Sequence, residues 1–326
     1  MPDGNGGTFL ITGGAGFIGF NLTKALLSRN YKVICLDNLK SGQVRNLEFF
    51  QQNSSFKFIE HDVRSPYPES LSRFQIDGVY NLACPASPPW YQADPIGTLA
   101  TSVMGALNGL NYSQNHEIPF IQASTSEIYG DPLQNPQNET YWGNVNPIGP
   151  RACYDEGKRA AETLCMDFAR QGHSLIGIVR IFNTYGIGMR SDDGRVVSNF
   201  INAAITNQPI PVHGDGSQTR SFCFVDDLIL GLILMMDFTL NRNSAALPCP
   251  INLGNPDPIS MLDLARKIIS ITKSESELHF LNRPQDDPNL RMPNIERAIK
   301  TLGWQPQISL QEGLEKTVHY FRGEKK

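Results

Sequence analysis

The feature that most constrains the fold is a glycine-rich turn near the start of the chain. The apolar run Thr8-Phe9-Leu10-Ile11 predicts a buried strand, and Thr12-Gly13-Gly14-Ala15-Gly16-Phe17-Ile18-Gly19 follows it and opens a helix. Gly13, Gly16 and Gly19 permit a tight turn and let backbone amides approach a pyrophosphate at the positive end of the helix dipole. This order predicts the first unit of a dinucleotide-binding fold.

The rest of the first half alternates strand-like and helix-like segments. Apolar residues recur at helical spacing over 99–112 and 154–170. The other candidate strands are 33–36, 56–59, 79–82, 120–123 and 177–181. This alternation predicts an α/β protein, with a Rossmann-type doubly wound parallel sheet and a smaller C-terminal substrate-binding domain.

The composition changes after Tyr185, where Gly, Pro, Asn and Asp become more frequent. We therefore predict a dinucleotide-binding domain over 1–184 and a substrate-binding region over 185–326. The regular segments near 225–254 are expected to return to the first domain.

Charge and composition argue against several classes of partner. The 326 residues carry a formal net charge of −4 without a run of like charges, so no nucleic-acid partner is expected. No secretory signal is visible, and the longest apolar run, 228–236, is too short to span a bilayer. Neither the six cysteines nor the six histidines show metal-ligand spacing. We predict a soluble, cytoplasmic chain without a metal or membrane partner.

The end of the second strand indicates which dinucleotide is bound. The Asp37 carboxylate can accept both ribose hydroxyls and would repel a 2′-phosphate, which favours NAD over NADP, although the cations Lys40 and Arg45 lie nearby. Asp62 and Val63 end the third strand and either contact the adenine or form a plain turn. The predicted NAD contacts are Gly13, Gly16, Phe17, Ile18, Gly19, Asp37, Asn38, Ser41, Gly42, Asp62, Val63, Leu82, Thr101, Tyr154 and Lys158.

A phenol and an ammonium lie four residues apart in the segment Tyr154-Asp155-Glu156-Gly157-Lys158, on one face of a predicted helix. The Lys158 cation, helped by the positive nicotinamide ring, is expected to lower the pKa of Tyr154 and so make it a usable base. Such a pair alone also fits a surface helix. Its position after the glycine turn, Asp37 and the hydroxyl-rich Ser124-Thr125-Ser126-Glu127 favours a catalytic role.

Four segments carry a resemblance to a known family. They are Leu82-Ala83-Cys84-Pro85-Ala86-Ser87-Pro88-Pro89, the stretch 141–159 that contains Tyr154, the stretch 192–200, and Gln285-Asp286-Asp287-Pro288. With these segments the chain resembles the extended short-chain dehydrogenases/reductases and, among them, the UDP-glucuronate decarboxylases. The resemblance runs from about Phe9 to Phe321.

The resemblance implies an NAD-dependent enzyme that converts UDP-glucuronate to UDP-xylose through a 4-keto intermediate. Tyr154, aided by Thr125, would take the proton of the sugar C4 hydroxyl while hydride passes to NAD. The resulting β-keto acid loses carbon dioxide, and return of the hydride gives the pentose. The resemblance further places Ser126, Glu127 and Arg291 at the decarboxylation centre. It assigns Asn183, Arg195 and Arg220 to the nucleotide and its diphosphate.

The chain departs from the family pattern at several positions. Gly97 and Ala100 stand where relatives usually carry lysines, Ser102 replaces an asparagine, and Ile187-Gly188-Met189 replaces Pro-Arg-Met. These changes leave three alternatives open: a 4-epimerase, a decarboxylase of a TDP-linked uronate, and a catalytically silent NAD or nucleotide-sugar sensor. Ser126 argues against the related 4,6-dehydratases, which carry an acid there.

The resemblance also predicts how the chain assembles. The two helices over 99–112 and 154–170 are similar to the pair that forms a four-helix interface in this family. A homodimer is therefore expected, with a nucleotide sugar as the small-molecule partner.

Overall fold

The structure is a computed structural model, and it describes residues 6–173, 175–241 and 247–324. Its strands are β1 (Thr8–Thr12), β2 (Lys32–Asp37), β3 (Phe56–Glu60), β4 (Gly78–Asn81), β5 (Phe120–Thr125), β6 (Ile176–Ile181), β7 (Thr184–Tyr185), β8 (Ile210–His213), β9 (Thr219–Ser221), β10 (Cys223–Phe224), β11 (Ile251–Leu253), β12 (Pro258–Ser260), β13 (Leu278–Leu281) and β14 (Leu290–Arg291). Its helices are α1 (Phe17–Leu27), α2 (Val44–Glu48), α3 (Pro88–Ala93), α4 (Pro95–Asn115), α5 (Ala152–Arg170), α6 (Val196–Ile205), α7 (Val225–Asn241), α8 (Met261–Thr272), α9 (Glu296–Leu302) and α10 (Leu310–Glu324).

Seven parallel strands form the main sheet in the order β11-β6-β5-β4-β1-β2-β3. Side chains that alternate along β1 enter different cores: Phe9 and Ile11 share a buried cluster with Leu232 of α7, whereas Leu10 packs with Leu110 of α4. A parallel sheet covered by helices on both faces needs apolar residues at consecutive positions. The predicted doubly wound α/β fold is confirmed.

The strands predicted in the first half are all present, with small differences at their ends. β4 ends at Asn81, so Leu82 lies beyond it, and α4 begins at Pro95, four residues before the predicted start. Asp94 explains the earlier start, because its side chain accepts a hydrogen bond from the Gly97 amide at 2.9 Å and caps the helix.

The second half contributes both to the main sheet and to smaller sheets. β11 pairs in parallel with β6 at the edge of the main sheet, and α7 packs against β5 and β6. Short strands form the sheets β12-β9-β14, β13-β8 and β10-β7. Where one domain ends and the other begins stays a prediction. Over the described ranges, no helix has both the length and the apolar character needed to cross a bilayer.

A buried ion pair joins the sheet to α5 beneath the strand ends. Arg180 of β6 donates two hydrogen bonds to the Glu162 carboxylate, at 3.0 and 2.8 Å, and a third to the Tyr129 hydroxyl at 2.9 Å. The Ser124 hydroxyl donates to the same carboxylate at 2.5 Å, and Tyr129 donates to Asn252 of β11 at 2.8 Å. Because each charge has several partners, removing one partner leaves a buried charge uncompensated.

We expect Arg180→Met to lower the free energy of unfolding by about 3–5 kcal/mol, since it strands the Glu162 carboxylate. Arg170→Met is the matched control, because Arg170 forms an exposed pair with Asp167 on the same helix, and such pairs contribute about 0.2–1 kcal/mol. Urea unfolding followed by circular dichroism measures both. Equal losses of unfolding free energy in the two variants would show that the buried pair contributes no more to stability than the exposed pair.

Candidate active site

A cavity of about 560 Å³ opens at the carboxyl ends of the main-sheet strands and extends towards the small sheets of the second half. Every residue predicted for the site lines it, with the exception of Asp62. The Asp62 carboxylate instead accepts from the Arg64 side chain at 2.6 Å and from Asn38 at 3.2 Å. The adjacent Val63 is buried and reaches the cavity wall.

The glycine turn forms a backbone cradle at one end of the cavity. Gly13 has φ +71°, and a Cβ placed on it would lie 2.8 Å from the Ala83 Cα. A Cβ on Gly19 would lie 2.3 Å from the Gly13 carbonyl oxygen, so this glycine lets α1 approach the turn closely. The cradle therefore leaves room for a phosphate group against the backbone at the start of α1, as a dinucleotide requires.

The Asp37 carboxylate lies beside this cradle. It accepts hydrogen bonds from the Ala15 amide at 3.0 Å and the Leu39 amide at 2.8 Å, which fix its orientation. Burial raises its pKa, although both amides act in the opposite direction. An acceptor fixed at the end of β2 suits a pair of ribose hydroxyls.

Two of the cations in this region, Lys40 and Arg64, are already paired with carboxylates. Lys40 forms an ion pair with Asp94, and Arg64 forms one with Asp62. Two cations that could have attracted a 2′-phosphate are thus engaged, and Asp37 itself would repel such a group. The arrangement favours NAD over NADP.

Tyr154 and Lys158 both face the cavity from α5 and are buried. The Tyr154 ring is stacked on Tyr91, with 5.2 Å between ring centroids and 7° between planes, and its phenol is hydrogen-bonded to Thr125. The Lys158 ammonium donates to the Ala123 carbonyl at 2.8 Å and lies 5.9 Å from the Tyr154 ring centroid.

In the protein alone, burial has the largest effect on the pKa of Tyr154. Burial raises the pKa of this phenol, whereas the Thr125 hydrogen bond and the Arg195 charge act to lower it. Burial likewise lowers the pKa of Lys158. The predicted lowering includes the positive nicotinamide ring, so it stays a prediction for the cofactor-bound site. In the protein alone, the loss of water around both groups dominates.

Glu127 lies between two arginines at the end of β5. Arg291 forms an ion pair with one of its carboxylate oxygens, and Arg151 donates a hydrogen bond to the other. Burial alone would raise the pKa of Glu127, but the two cations outweigh it and hold the pKa at about 2. Arg291 also donates to the Ser126 hydroxyl at 3.2 Å. The predicted cluster of Ser126, Glu127 and Arg291 is assembled as one unit.

Sequence reasoning missed two residues that line the cavity, Arg151 and Tyr91. Arg151 precedes α5 within a quoted motif, but the Tyr154/Lys158 spacing gives no reason to select it. Tyr91 follows the quoted segment that ends at Pro89, and nothing local indicates that it stacks on Tyr154. Only the folded arrangement brings them to the cavity.

The residues expected at the nucleotide also line the cavity. Arg195 pairs with Asp193 at 2.5 Å, and its guanidinium lies 5.7 Å from the Phe17 ring centroid. Arg220 of β9 donates to Asp287 at 3.0 Å, and Asn183 also lines the wall. Both arginines can offer planar donors to a diphosphate.

The positions that depart from the family pattern differ in their relation to the cavity. Gly97 lines it, whereas Ala100 is half-buried and does not. Gly188 does not line it either, but Arg190 does; its guanidinium lies 4.8 Å from the Trp90 ring centroid. A cation therefore remains close to the segment from which the usual arginine is missing.

Comparison with known proteins places the chain in a family. The protein-family model described as GDP-mannose 4,6 dehydratase matches residues 10–317. UDP-glucuronic acid decarboxylase 1 of Danio rerio is 46% identical over 315 residues, which are 97% of this chain and 72% of the relative. UDP-glucuronic acid decarboxylase 6 of Arabidopsis thaliana is 45% identical over 314 residues, 96% of this chain and 88% of the relative.

Solved structures agree with this assignment. UDP-glucose 4-epimerase from Thermotoga maritima, with UDP-glucose, has a TM-score of 0.86 at 28% identity. The superposition covers 98% of this chain and 100% of the epimerase chain. UDP-glucuronic acid 4-epimerase from Bacillus cereus, with UDP-glucuronic acid and NAD, has a TM-score of 0.84 at 27% identity, with coverage of 97% and 99%. The fold is that of the extended short-chain dehydrogenases/reductases. The chain belongs to this family, in the group of the UDP-glucuronic acid decarboxylases, and the resemblance read from its motifs is confirmed.

We expect Gly13→Ala to weaken dinucleotide binding at least about tenfold, or about 1.4 kcal/mol, because the new Cβ meets the Ala83 backbone. Gly303→Ala is the control, since Gly303 has a similar φ of +63° but open space around it and lies after α9. Calorimetric titration with NAD compares the two variants. Equal weakening in both would mean that backbone strain, and not the cradle, explains the loss.

Proposed function

We propose that this protein converts UDP-glucuronate to UDP-xylose with NAD as its cofactor. The observation that carries the proposal is the juxtaposition of the Tyr154/Lys158 pair with the Ser126, Glu127 and Arg291 cluster in one cavity. The Tyr154/Lys158 pair suits oxidation at a sugar hydroxyl. The Ser126, Glu127 and Arg291 cluster suits binding of a carboxylate beside that hydroxyl. Similarity to UDP-glucuronic acid decarboxylases at 46% identity supports the same activity.

The described residues fit NAD. The Gly13 cradle would hold the pyrophosphate, Asp37 the adenosine ribose, and Lys158 the nicotinamide ribose. NAD, when bound, supplies a hydride acceptor for the sugar C4 and returns the hydride after decarboxylation, so no net redox change results. Both Tyr154 and Lys158 are buried side chains in the wall of the cavity.

Tyr154 is the group placed to take the C4 hydroxyl proton, and its ring is fixed by the stack on Tyr91. Because burial disfavours the phenolate in the protein alone, substrate and cofactor must stabilise it when they bind. The Thr125 hydroxyl, hydrogen-bonded to the phenol, would share that proton. The same phenol would return the proton to the C4 oxygen when the hydride returns to C4.

The cluster at the end of β5 would receive the uronate end of the sugar. Arg291 is 2% exposed, and its Nε has no hydrogen-bond partner among the described residues, so it retains a donor for substrate. Oxidation at C4 makes the substrate a β-keto acid, and loss of carbon dioxide leaves an enolate. Donors that are already oriented stabilise such charge without reorganisation.

A 4-epimerase is the second candidate, because the Bacillus cereus 4-epimerase of UDP-glucuronic acid has the same fold at 27% identity. Both reactions begin with C4 oxidation and differ in whether the carboxylate is lost. The nature of the product therefore decides between them.

We expect Tyr154→Phe to lower turnover of UDP-glucuronate by about 10²–10⁴-fold while NAD stays bound, because the ring and its stack remain and the acid–base group is lost. Proton NMR of the purified protein with UDP-glucuronate and NAD follows the product, with Tyr80→Phe, a buried phenol outside the cavity, as the control. A UDP-pentose supports decarboxylation by the unmodified protein. UDP-glucuronate that stays unchanged, or that is converted to its own C4 epimer, would overturn the proposal.

We also propose that the chain forms a homodimer through α4 and α5. The two helices pack side by side, and α4 leaves an apolar stripe only partly covered by this chain: Ile96, Leu99, Val103, Met104 and Leu107. On α5, Leu164 and Phe168 are likewise half-buried. Apolar stripes at helical spacing are suited to pair with a second copy in a four-helix arrangement.

Met104→Glu should shift the dimer towards monomer by placing a charge in the apolar stripe. Ile299→Glu introduces the same charge at a comparably exposed apolar residue, 45% against 39%, on α9. Sedimentation velocity at several protein concentrations distinguishes the species. A dimer that survives Met104→Glu but not Ile299→Glu would place the interface elsewhere.

A further inference from the structure

The glycine turn lies in a crevice that the sheet topology creates. β1 lies between β2 and β4, so the segments that follow β2 and β4 flank the carboxyl end of β1. The strand order of the main sheet reverses at β1, and a doubly wound sheet binds its dinucleotide in the crevice at such a point. A contact that joins the two flanking segments therefore crosses this crevice.

Three segments surround the crevice, and each contributes residues to the wall of the cavity. They are residues 38–43 after β2, residues 61–64 after β3, and residues 94–101 at the start of α4. We refer to these three segments as the collar. Asp37, the acceptor suited to the adenosine ribose, lies at the base of the first segment, so the collar surrounds the adenosine end of the cavity.

The segment after β3 is joined to both of the others. Asn38 donates a hydrogen bond to the Asp62 carboxylate at 3.2 Å, and Arg64 donates to the same carboxylate at 2.6 Å. The Asn108 side chain of α4 donates to the Val63 carbonyl at 2.8 Å, and Val63 is 4% exposed. Two sides of the collar are thus held by hydrogen bonds.

The third side is an ion pair between Lys40, after β2, and Asp94, before α4. It is the contact that closes the collar, because it joins the segments on the two sides of the crevice. The two side chains are 50% and 40% exposed, so water screens their attraction. The lysine side chain is long and flexible, and it can move away without a change in the backbone. Of the three contacts, this one opens most easily.

The Asp94 carboxylate is fixed so that one oxygen is kept for Lys40. Its Oδ1 accepts the hydrogen bond from the Gly97 amide at 2.9 Å that caps α4, and its Oδ2 pairs with Lys40. A Cβ on Gly97 would lie 2.1 Å from that Oδ2. The glycine therefore keeps the paired oxygen accessible to the lysine.

We propose that Lys40 and Asp94 retain the cofactor by closing the collar over its adenosine half. This inference rests on the NAD binding of the proposed function. The pair opens for the dinucleotide to enter or leave and closes again once the adenosine half is seated. Retention matters because the proposed reaction returns its hydride within one turnover, and loss of the reduced cofactor would leave the sugar oxidised. Both are positioning residues, since neither contacts the reacting atoms.

The test measures the release of NAD. Protein loaded with NAD is mixed rapidly with excess NADH, whose fluorescence rises as it replaces the departing NAD. We expect Lys40→Met and Asp94→Asn each to accelerate release about two- to fivefold, the range of an exposed ion pair. The double variant should release NAD no faster than the single variants, because both changes remove the same contact. Asparagine is also a good N-cap, so α4 keeps its start.

Salt and two further variants separate the ion pair from a general loosening of the fold. Raising the ionic strength to about 1 M screens exposed pairs, so it should accelerate release from the unmodified protein and have less effect on Lys40→Met. Gly97→Ala displaces the same carboxylate and should also accelerate release. Lys316→Met should not, because it removes a pair with Glu312 of similar exposure, 42% and 52%, on α10 outside the cavity.

Each result bears on the collar or on the proposed reaction separately. Unchanged release from Lys40→Met and Asp94→Asn, or effects that add in the double variant, would overturn the inference and leave the proposed reaction intact. An unmodified protein that binds no NAD would refute the cofactor assignment and the collar with it. If release follows the expected pattern and UDP-glucuronate keeps its carboxylate, the collar stands and the proposed reaction fails.

Discussion

The site depends on one buried carboxylate, that of Glu127, and on the two arginines that neutralise it. Arg151 lies 24 positions further along the chain, and Arg291, which also contacts Ser126 across 165 positions, comes from the C-terminal region. A buried carboxylate that loses such partners costs about 3–5 kcal/mol. The end of β5, the start of α5 and β14 must therefore meet for the protein to be stable, and this meeting orients Thr125 and Ser126 in the cavity.

The main sheet could be predicted because its signals are local. Each parallel strand is buried on both faces, so a run such as Phe9-Leu10-Ile11 is apolar at every position. The strands of the second half are only two to four residues long, from β7 to β14, and pairing with distant partners defines them. Strands of that length carry no periodicity, which is why, apart from the regular segments near 225–254, the sequence showed only loops and a change of composition there.

The site residues were predicted by type and order, whereas their energetics were not. The four-residue spacing places Tyr154 and Lys158 on one face of α5, and the structure has them there. The balance between burial and charge, which raises the pKa of Tyr154, depends on packing from several elements. The same limit applies to Tyr91, whose stacking partner lies 63 positions away (154 − 91) and has no sequence signal.

One departure from the family pattern has a physical explanation in the fold. A Cβ on Gly97 would lie 2.1 Å from the Asp94 Oδ2, so any side chain at this position would displace the Asp94 carboxylate. That carboxylate both caps α4 and pairs with Lys40, which lines the cavity from the segment after β2. The Lys40–Asp94 pair thus requires that position 97 has no side chain, and this arrangement excludes a lysine there. In it, the cation at this edge of the cavity comes from the segment after β2 and not from α4.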